Sequence, residues 1–207
     1  MDILTTDKIE EGIQSLSHKL QMAFAASCCE RLIPNYAAFS ATEKWGDVQI
    51  LNDALNKIWS YVGGVDFLET DLKESILLLE TATPHSENFT SVFVSLAIDT
   101  ASALFHGLQY IIEPRSANVI LISRLSIESI ETYLYSVNDP NLSVHGTEKA
   151  LDDWVQQAPL LASELNKQIQ DLALIKSWTG GNGELIQGLR QMSKNSGIQP
   201  FIRRIVK

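Results

Sequence analysis

The sequence predicts an all-α fold, a single-domain bundle of several helices. Its 207 residues, 45% of them hydrophobic, are enough to build one globular core. Apolar residues recur at helical spacing along the chain, and no two strand-like alternating runs are joined by a tight turn. We therefore expect one helical domain over residues 1–207, in which residues 195–207 form a basic C-terminal tail.

Caps and helix breakers bound the first three predicted helices. A short first helix opens near Thr6, and a second begins near His18. Pro34 removes a backbone donor from this second helix, so we expect the helix to kink or restart there. After a Trp-Gly-Asp break, Asp47 is placed to cap the third helix, and the glycine pair at 63–64 ends it.

The middle of the chain predicts three further helices. The first is amphipathic and closes at the Thr-Pro pair at 83–84. An apolar helix over 89–112 ends before Pro114, and another follows over 117–137. A loop is expected at 138–141, where Asn, Asp and Pro follow one another.

A long helix is predicted over 147–178, bent by Pro159. Its apolar residues recur every seven positions, with a second set four residues later, which is typical of a packing seam: Leu151, Ala158, Leu165 and Leu172, then Val155, Ala162 and Ile169. The seam could serve either the monomer core or a two-fold contact. We expect a homodimer burying at least ~1,000 Å² in total. A last helix is predicted near 184–193.

Charge and composition narrow the classes of partner. The net charge of −9 disfavours nucleic acid as the main partner, because nucleic-acid affinity comes mostly from basic patches. The most apolar window holds too many polar residues for a membrane span, so no membrane partner is expected. The tail interleaves the basic side chains Arg203, Arg204 and Lys207 with apolar ones, and we expect it to dock on the acidic body.

The cysteines and the N-terminus favour a cytoplasmic protein. Cys28 and Cys29 are adjacent, a geometry that does not favour a mutual disulfide, so a reducing compartment fits best. Acidic residues near the N-terminus stand where a secretion signal would need a basic start. No recognised catalytic motif is present, and the four histidines are scattered, so the sequence predicts a non-catalytic protein with no metal and no cofactor.

Polar side chains in otherwise apolar segments are the candidate binding residues. Asp99 lies in the most apolar helix and is expected to be buried and paired, with Arg31 as the preferred partner and Tyr36 or backbone N–H groups after Pro34 as alternatives. Such residues either bind a ligand or form a structural network of ion pairs and hydrogen bonds. The candidate cluster is Glu30, Arg31, Asn35, Tyr36, Asp47, Asp99 and His106.

These segments carry a resemblance to a known family. FAASCCERLIPNYAAF, WGDVQILNDALNKIW, AIDTASAL and GELIQGLR are similar to the YjaG-like family of bacterial proteins of unknown function. The resemblance is weakest over 62–87 and 138–167. It implies an all-helical fold, no assigned activity or cofactor, and an association with histidine kinases.

Two functions follow as hypotheses. The first is a non-catalytic cytoplasmic interaction protein, an accessory factor in bacterial signalling with a protein partner. The alternative is a small-ligand-binding or enzymatic bundle that uses the polar cluster of Glu30, Arg31, Tyr36, Asp47 and Asp99.

Overall fold

The computed structural model describes residues 3–137 and 147–194, with side chains from residue 5 onward. The described residues form α-helices joined by short loops and contain no strand, which confirms the all-α prediction. In chain order the helices are α1 (Ile3–Gln14), α2 (His18–Glu43), α3 (Val48–Val62), α4 (Glu69–Ala82), α5 (Phe93–Ile112), α6 (Ser116–Ser136), α7 (Glu148–Gln156), α8 (Pro159–Ser177) and α9 (Asn182–Lys194).

Helix α2 is the central helix. It packs against α3, α5, α6, α8 and α9. An unbroken run from Gln21 to Leu32 is buried. This explains why α2 lacks a polar stripe: it is covered on all sides. The helix continues through Pro34, so of the two expected outcomes, a kink or a restart, the restart does not occur. Pro34 has no N–H, and the carbonyl of Glu30 therefore loses the donor that an uninterrupted helix would supply.

The break between α2 and α3 forms as predicted. Lys44 adopts a left-handed conformation at φ 54°, and Gly46 follows at φ 83°, so the chain reverses within a few residues. Asp47 Oδ1 accepts a hydrogen bond from the backbone N–H of Gln49 at 2.8 Å. The capped helix then buries Leu51 and five more side chains on one face.

The C-terminal half differs from the predicted single long helix. Pro159 is the first residue of α8, and α7 ends three residues earlier, so the segment is two helices. Pro at the start of a helix costs no hydrogen bond, which explains the split at this point. The seven-residue seam is only partly buried, because Ala162 and Ile169 are exposed. Three polar side chains of α8 lie on its buried face, namely Glu164, Gln168 and Asp171.

Other boundaries lie close to the predicted ones. A short 3₁₀ turn, Ser86–Asn88, precedes α5, which starts later than expected at Phe93. None of the helices in the described ranges has the length and apolar content needed to cross a bilayer. The predicted loop at 138–141 and the predicted docking of the tail at 195–207 lie outside the described residues.

Candidate functional site

Arg31 is the centre of an ion-pair network in the core, with a side chain only 2% exposed. Its Nε donates to Glu164 Oε2 at 2.9 Å, and its Nη2 donates to Glu164 Oε1 at 2.7 Å, a two-point contact. Its Nη1 donates to Asp171 Oδ2 at 3.0 Å and to Ser27 Oγ at 2.8 Å. One guanidinium group of α2 therefore binds two carboxylates of α8.

Asp171 has further partners on α2 and on α8 itself. Lys167 Nζ donates to its Oδ1, and Ser27 Oγ donates to its Oδ2 at 2.6 Å. Ser27 Oγ also shares a hydrogen bond with Ser193 Oγ of α9 at 2.9 Å. Two cations therefore face two carboxylates, so the network has no net charge and every member is bound.

Glu164 extends the network to α6. Its Oε1 accepts hydrogen bonds from Ser126 Oγ and Gln168 Nε2, both at 3.0 Å. Gln168 Nε2 also donates to the carbonyl oxygen of Ser123 at 3.2 Å. The network thus connects α2, α6, α8 and α9, and these hydrogen bonds offset the cost of removing the charges from water.

The network offers no reactive group at neutral pH. Burial raises the pKa of the Cys28 thiol to about 12 despite the opposing charge of Arg31, and burial likewise raises the pKa of Cys29. Burial lowers the pKa of Arg31, but attraction to Glu164 and Asp171 outweighs it and the pKa is raised. The thiols stay protonated and Arg31 stays charged, so the arrangement binds helices together.

Glu30, one residue before Arg31, contacts different helices. Its Oε2 accepts hydrogen bonds from Trp59 Nε1 at 2.8 Å and from Arg190 Nε at 3.1 Å. The Arg190 guanidinium lies 5.7 Å from the Trp59 ring centroid and donates to Asn56 Oδ1 at 3.1 Å. Glu30 therefore ties α2 to α3 and α9.

Beside Glu30 is an open polar cleft of about 450 Å³. We call it the α2/α3/α9 cleft, after the helices that line it. Its walls mix one carboxylate, two basic groups, three carboxamides and a small apolar patch: Glu30, Ile33, Pro34, Gln49, Asn52, Asn56, Arg190 and Lys194.

Of three other candidate residues, two serve structural contacts and the third is buried without a hydrogen-bond partner among the described residues. Tyr36 Oη donates to the carbonyl oxygen of Ala82 at 2.6 Å, which fixes the end of α4 on α2. Asp47 is exposed and caps α3. The carboxamide of Asn35 is fully buried, and neither its oxygen nor its nitrogen has a partner among the described residues.

The expected pairing of Asp99 with Arg31 is wrong. Asp99 is partly buried, and its Oδ2 accepts a hydrogen bond from Ser129 Oγ at 2.8 Å. Arg31 binds the carboxylates of α8 instead, because that helix presents acidic side chains on its buried face. Burial raises the pKa of Asp99 to about 6, although the Ser129 hydrogen bond opposes the shift.

His106 shares the α5 face of Asp99 but contacts α6 at a different point. Its Nδ1 lies 3.3 Å from Asn118 Oδ1. Glu30, Arg31, Tyr36, Asp47 and Asp99 thus bind different partners on several elements, and Glu30 lines the α2/α3/α9 cleft. Among the described residues, no three His, Cys, Asp or Glu side chains are grouped closely enough to hold a metal ion.

The principal partners of Arg31 were absent from the sequence-based candidates. Glu164, Gln168 and Asp171 are spaced by four and three residues, which places them on one helix face. That spacing could have indicated the ion-pair network, together with Arg31 in a segment of α2 that is otherwise poor in charge. The apolar seven-residue pattern beside it obscured the signal.

Comparisons with known proteins identify a family and related sequences. A family model described as "Protein of unknown function (DUF416)" matches residues 8–199. The uncharacterized protein YjaG of Escherichia coli (strain K12) is 27% identical over 194 residues, which cover 90% of both chains. An uncharacterized protein of Haemophilus influenzae is 25% identical over 192 residues, covering 92% of this chain and 93% of the relative.

A solved structure shows the same architecture. The crystal structure of a DUF416 family protein from Shewanella baltica OS155, at 1.91 Å resolution, is 26% identical and superposes with a TM-score of 0.78. The match covers 90% of this chain and 93% of that one. The resemblance noted in the sequence is thereby confirmed, and the chain belongs to the DUF416 family.

Proposed function

We propose that this chain is a non-catalytic cytoplasmic protein that acts by binding other proteins, first of all a second copy of itself. The observation that carries the proposal is a group of apolar side chains on α4 and the turn before it. Leu68 is 70% exposed, Leu77 is 62% exposed, and Val65 and Leu78 are each 49% exposed. Exposed apolar side chains grouped within one short segment are typical of a protein–protein contact.

A groove beside these side chains supports a two-fold contact. The groove lies between α3 and α4, has a volume of about 380 Å³, and is lined in part by Ile50, Phe67 and Leu78. Polar residues such as Asp53 and Lys57 line the rest of the groove. A protruding leucine next to a groove with an apolar part suits an isologous interface, because each copy then supplies both halves of the contact. Charged neighbours such as Glu69 and Lys73 would form the polar rim.

The chemistry of the interior supports a binding role over catalysis. The ionic network around Arg31 is closed by its own contacts, and the buried thiols are held protonated. Two adjacent free cysteines, Cys28 and Cys29, fit a reducing compartment such as the cytoplasm. A protein partner in bacterial signalling, of the histidine-kinase class that the family resemblance implies, remains a prediction for the same surface.

The dimer is tested by sedimentation velocity on the wild type and on two single variants. We expect a dimer for the wild type and monomers for Leu77→Glu and Leu78→Lys, since a charge at the centre of an apolar contact is costly. Ile169→Lys on α8 is the matched control, because Ile169 is 41% exposed and lies on the predicted seven-residue seam.

Each outcome of this experiment decides between surfaces. A monomer that persists through the micromolar range would overturn the dimer. Loss of the dimer in Ile169→Lys alone would move the interface from α4 to α8. Circular dichroism of each variant separates a lost contact from a lost fold.

A further inference from the structure

We propose that the α2/α3/α9 cleft binds a small monoanionic carboxylate that also carries neutral hydroxyl or amide groups. This inference goes beyond the proposed protein-binding role and uses a different surface. The volume of about 450 Å³ falls within the range of small-molecule sites, roughly 300–1,000 Å³. The residue types of its walls indicate the chemistry of the occupant.

Arg190 is oriented before any ligand arrives. Glu30 accepts from its Nε, Asn56 accepts from its Nη2, and the Trp59 ring lies against its guanidinium. These contacts use two of the five N–H groups of a guanidinium, which leaves the others for an anion. A side chain already held in place loses little conformational entropy when a ligand binds.

The carboxamides form a polar stripe on the outer face of α3. Gln49, Asn52 and Asn56 are spaced by three and four residues, so they follow one another along one helix face. Asn56 Oδ1 is occupied by Arg190, and Gln49 Nε2 donates to Asp53 Oδ1 at 2.7 Å. Asn56 therefore offers N–H donors and Gln49 offers an acceptor, a combination that suits hydroxyl or amide groups.

The net charge of the cleft favours a monoanion over a dianion. Arg190 and Lys194 are positive and Glu30 is negative, which leaves one net positive charge in a chain whose net charge is −9. A carboxylate carries one negative charge and balances the cleft. A phosphate monoester carries about −1.5 to −2 at neutral pH and is repelled further by the acidic body.

Three probes of similar size and hydroxyl content separate these possibilities: gluconate, glucose and glucose 6-phosphate. They differ in charge, as a monoanion, a neutral sugar and a largely dianionic phosphate. The readout is the indole N–H resonance of Trp59 in ¹H–¹⁵N NMR spectra, because that group donates to Glu30 in the cleft wall. The indole resonances of Trp45, Trp154 and Trp178 serve as internal controls.

We expect gluconate to shift the Trp59 resonance in a saturable way and more tightly than either other probe. Lys194→Gln should weaken gluconate binding about tenfold, since it removes one charge-assisted hydrogen bond. Lys176→Gln is the matched control, because Lys176 is also a last-turn lysine but on α8; it should leave binding unchanged.

Three results would overturn the proposal. The first is a Trp59 resonance that no probe shifts at the highest soluble concentration. The second is tighter binding of glucose or glucose 6-phosphate than of gluconate, which would reject the monoanion. The third is equal binding by Lys194→Gln and Lys176→Gln when both variants melt at the wild-type temperature.

Discussion

Gly46 lies directly against the hydroxyl group of Tyr36, with no room between them for a Cβ atom. Gly46 also has φ +83°, a conformation that L-residues with a side chain rarely adopt. The close approach lets Tyr36 Oη reach the carbonyl oxygen of Ala82 at 2.6 Å. The turn after α2, the end of α4 and a tyrosine in the core are therefore fixed together.

Gly46→Ala is expected to lower the free energy of unfolding by at least about 2 kcal/mol. The left-handed backbone alone costs roughly 1–2 kcal/mol, and the contact with Tyr36 adds to it. In denaturant unfolding, the double variant Gly46→Ala/Tyr36→Phe should lose less than the sum of the single losses. Gly188→Ala, in α9 with open space around it, should be neutral or stabilising. Equal losses of unfolding free energy in Gly46→Ala and Gly188→Ala would contradict a special structural role for Gly46.

Arg31→Met is expected to cost about 3–5 kcal/mol, because it leaves Glu164 and Asp171 buried without a full counter-charge. Arg124→Met is the matched control. Arg124 pairs with Glu10 at 2.5 Å, but its side chain is 54% exposed, so the loss should stay below about 1 kcal/mol. Urea unfolding curves of both variants check the difference, and similar losses would reject a structural role for the buried pair.

Asp99 should make stability depend on pH between about 4 and 6. Its pKa is raised from 3.8 to about 6 by burial, so the folded state holds its proton where the unfolded state has released it. Stability from this residue is therefore greatest at low pH and falls as pH rises through that window. Asp99→Asn should remove the contribution of this residue to the slope and gain on the order of 1 kcal/mol at pH 7, after solvent screening is allowed for.

Side-chain carboxyl ¹³C NMR gives the direct check on Asp99. The Ser129 hydrogen bond lowers the pKa of Asp99, so Ser129→Ala should move the titration midpoint above the wild-type value. A wild-type midpoint near 4, or one that Ser129→Ala leaves in place, would contradict the effect of burial and of the hydroxyl group.

Asn35→Leu is expected to raise the free energy of unfolding by about 1 kcal/mol. The Asn35 side chain has no exposed surface, and its two polar atoms find no partner in the described part of the chain. A buried polar group without a hydrogen bond costs roughly 1–3 kcal/mol, which an apolar side chain of similar size removes. Thermal unfolding measures the change. A loss of stability would show that the amide has a partner, such as a buried water molecule.

Local signals predicted the helices well but not the ion pairs. The cap at Asp47, the glycines at 63–64 and the start at His18 depend on neighbouring residues, so the sequence shows them directly. Arg31 and Glu164 are 133 positions apart, and their pairing depends on how α8 packs against α2. Glu164 also falls in a segment where the family resemblance is weakest.

The face of α8 shows why such a prediction fails. A heptad of apolar residues and a stripe of polar residues run along the same helix, offset by about one position. Rules of hydrophobic periodicity place the apolar stripe inside. In this fold the buried arginine of α2 draws Glu164, Gln168 and Asp171 inward, and Ile169 is left 41% exposed.

The late position of α8 in the chain also affects when the core can form during synthesis. A ribosome makes α2 long before Glu164 and Asp171, so the nascent chain carries Arg31 without its counter-ions until most of the sequence exists. Burying that charge alone would be too costly, and water must keep access to α2 during elongation. We therefore expect the interior to close only after α8 leaves the ribosome, and a stalled chain that ends before α8 to be a substrate for chaperones and proteases.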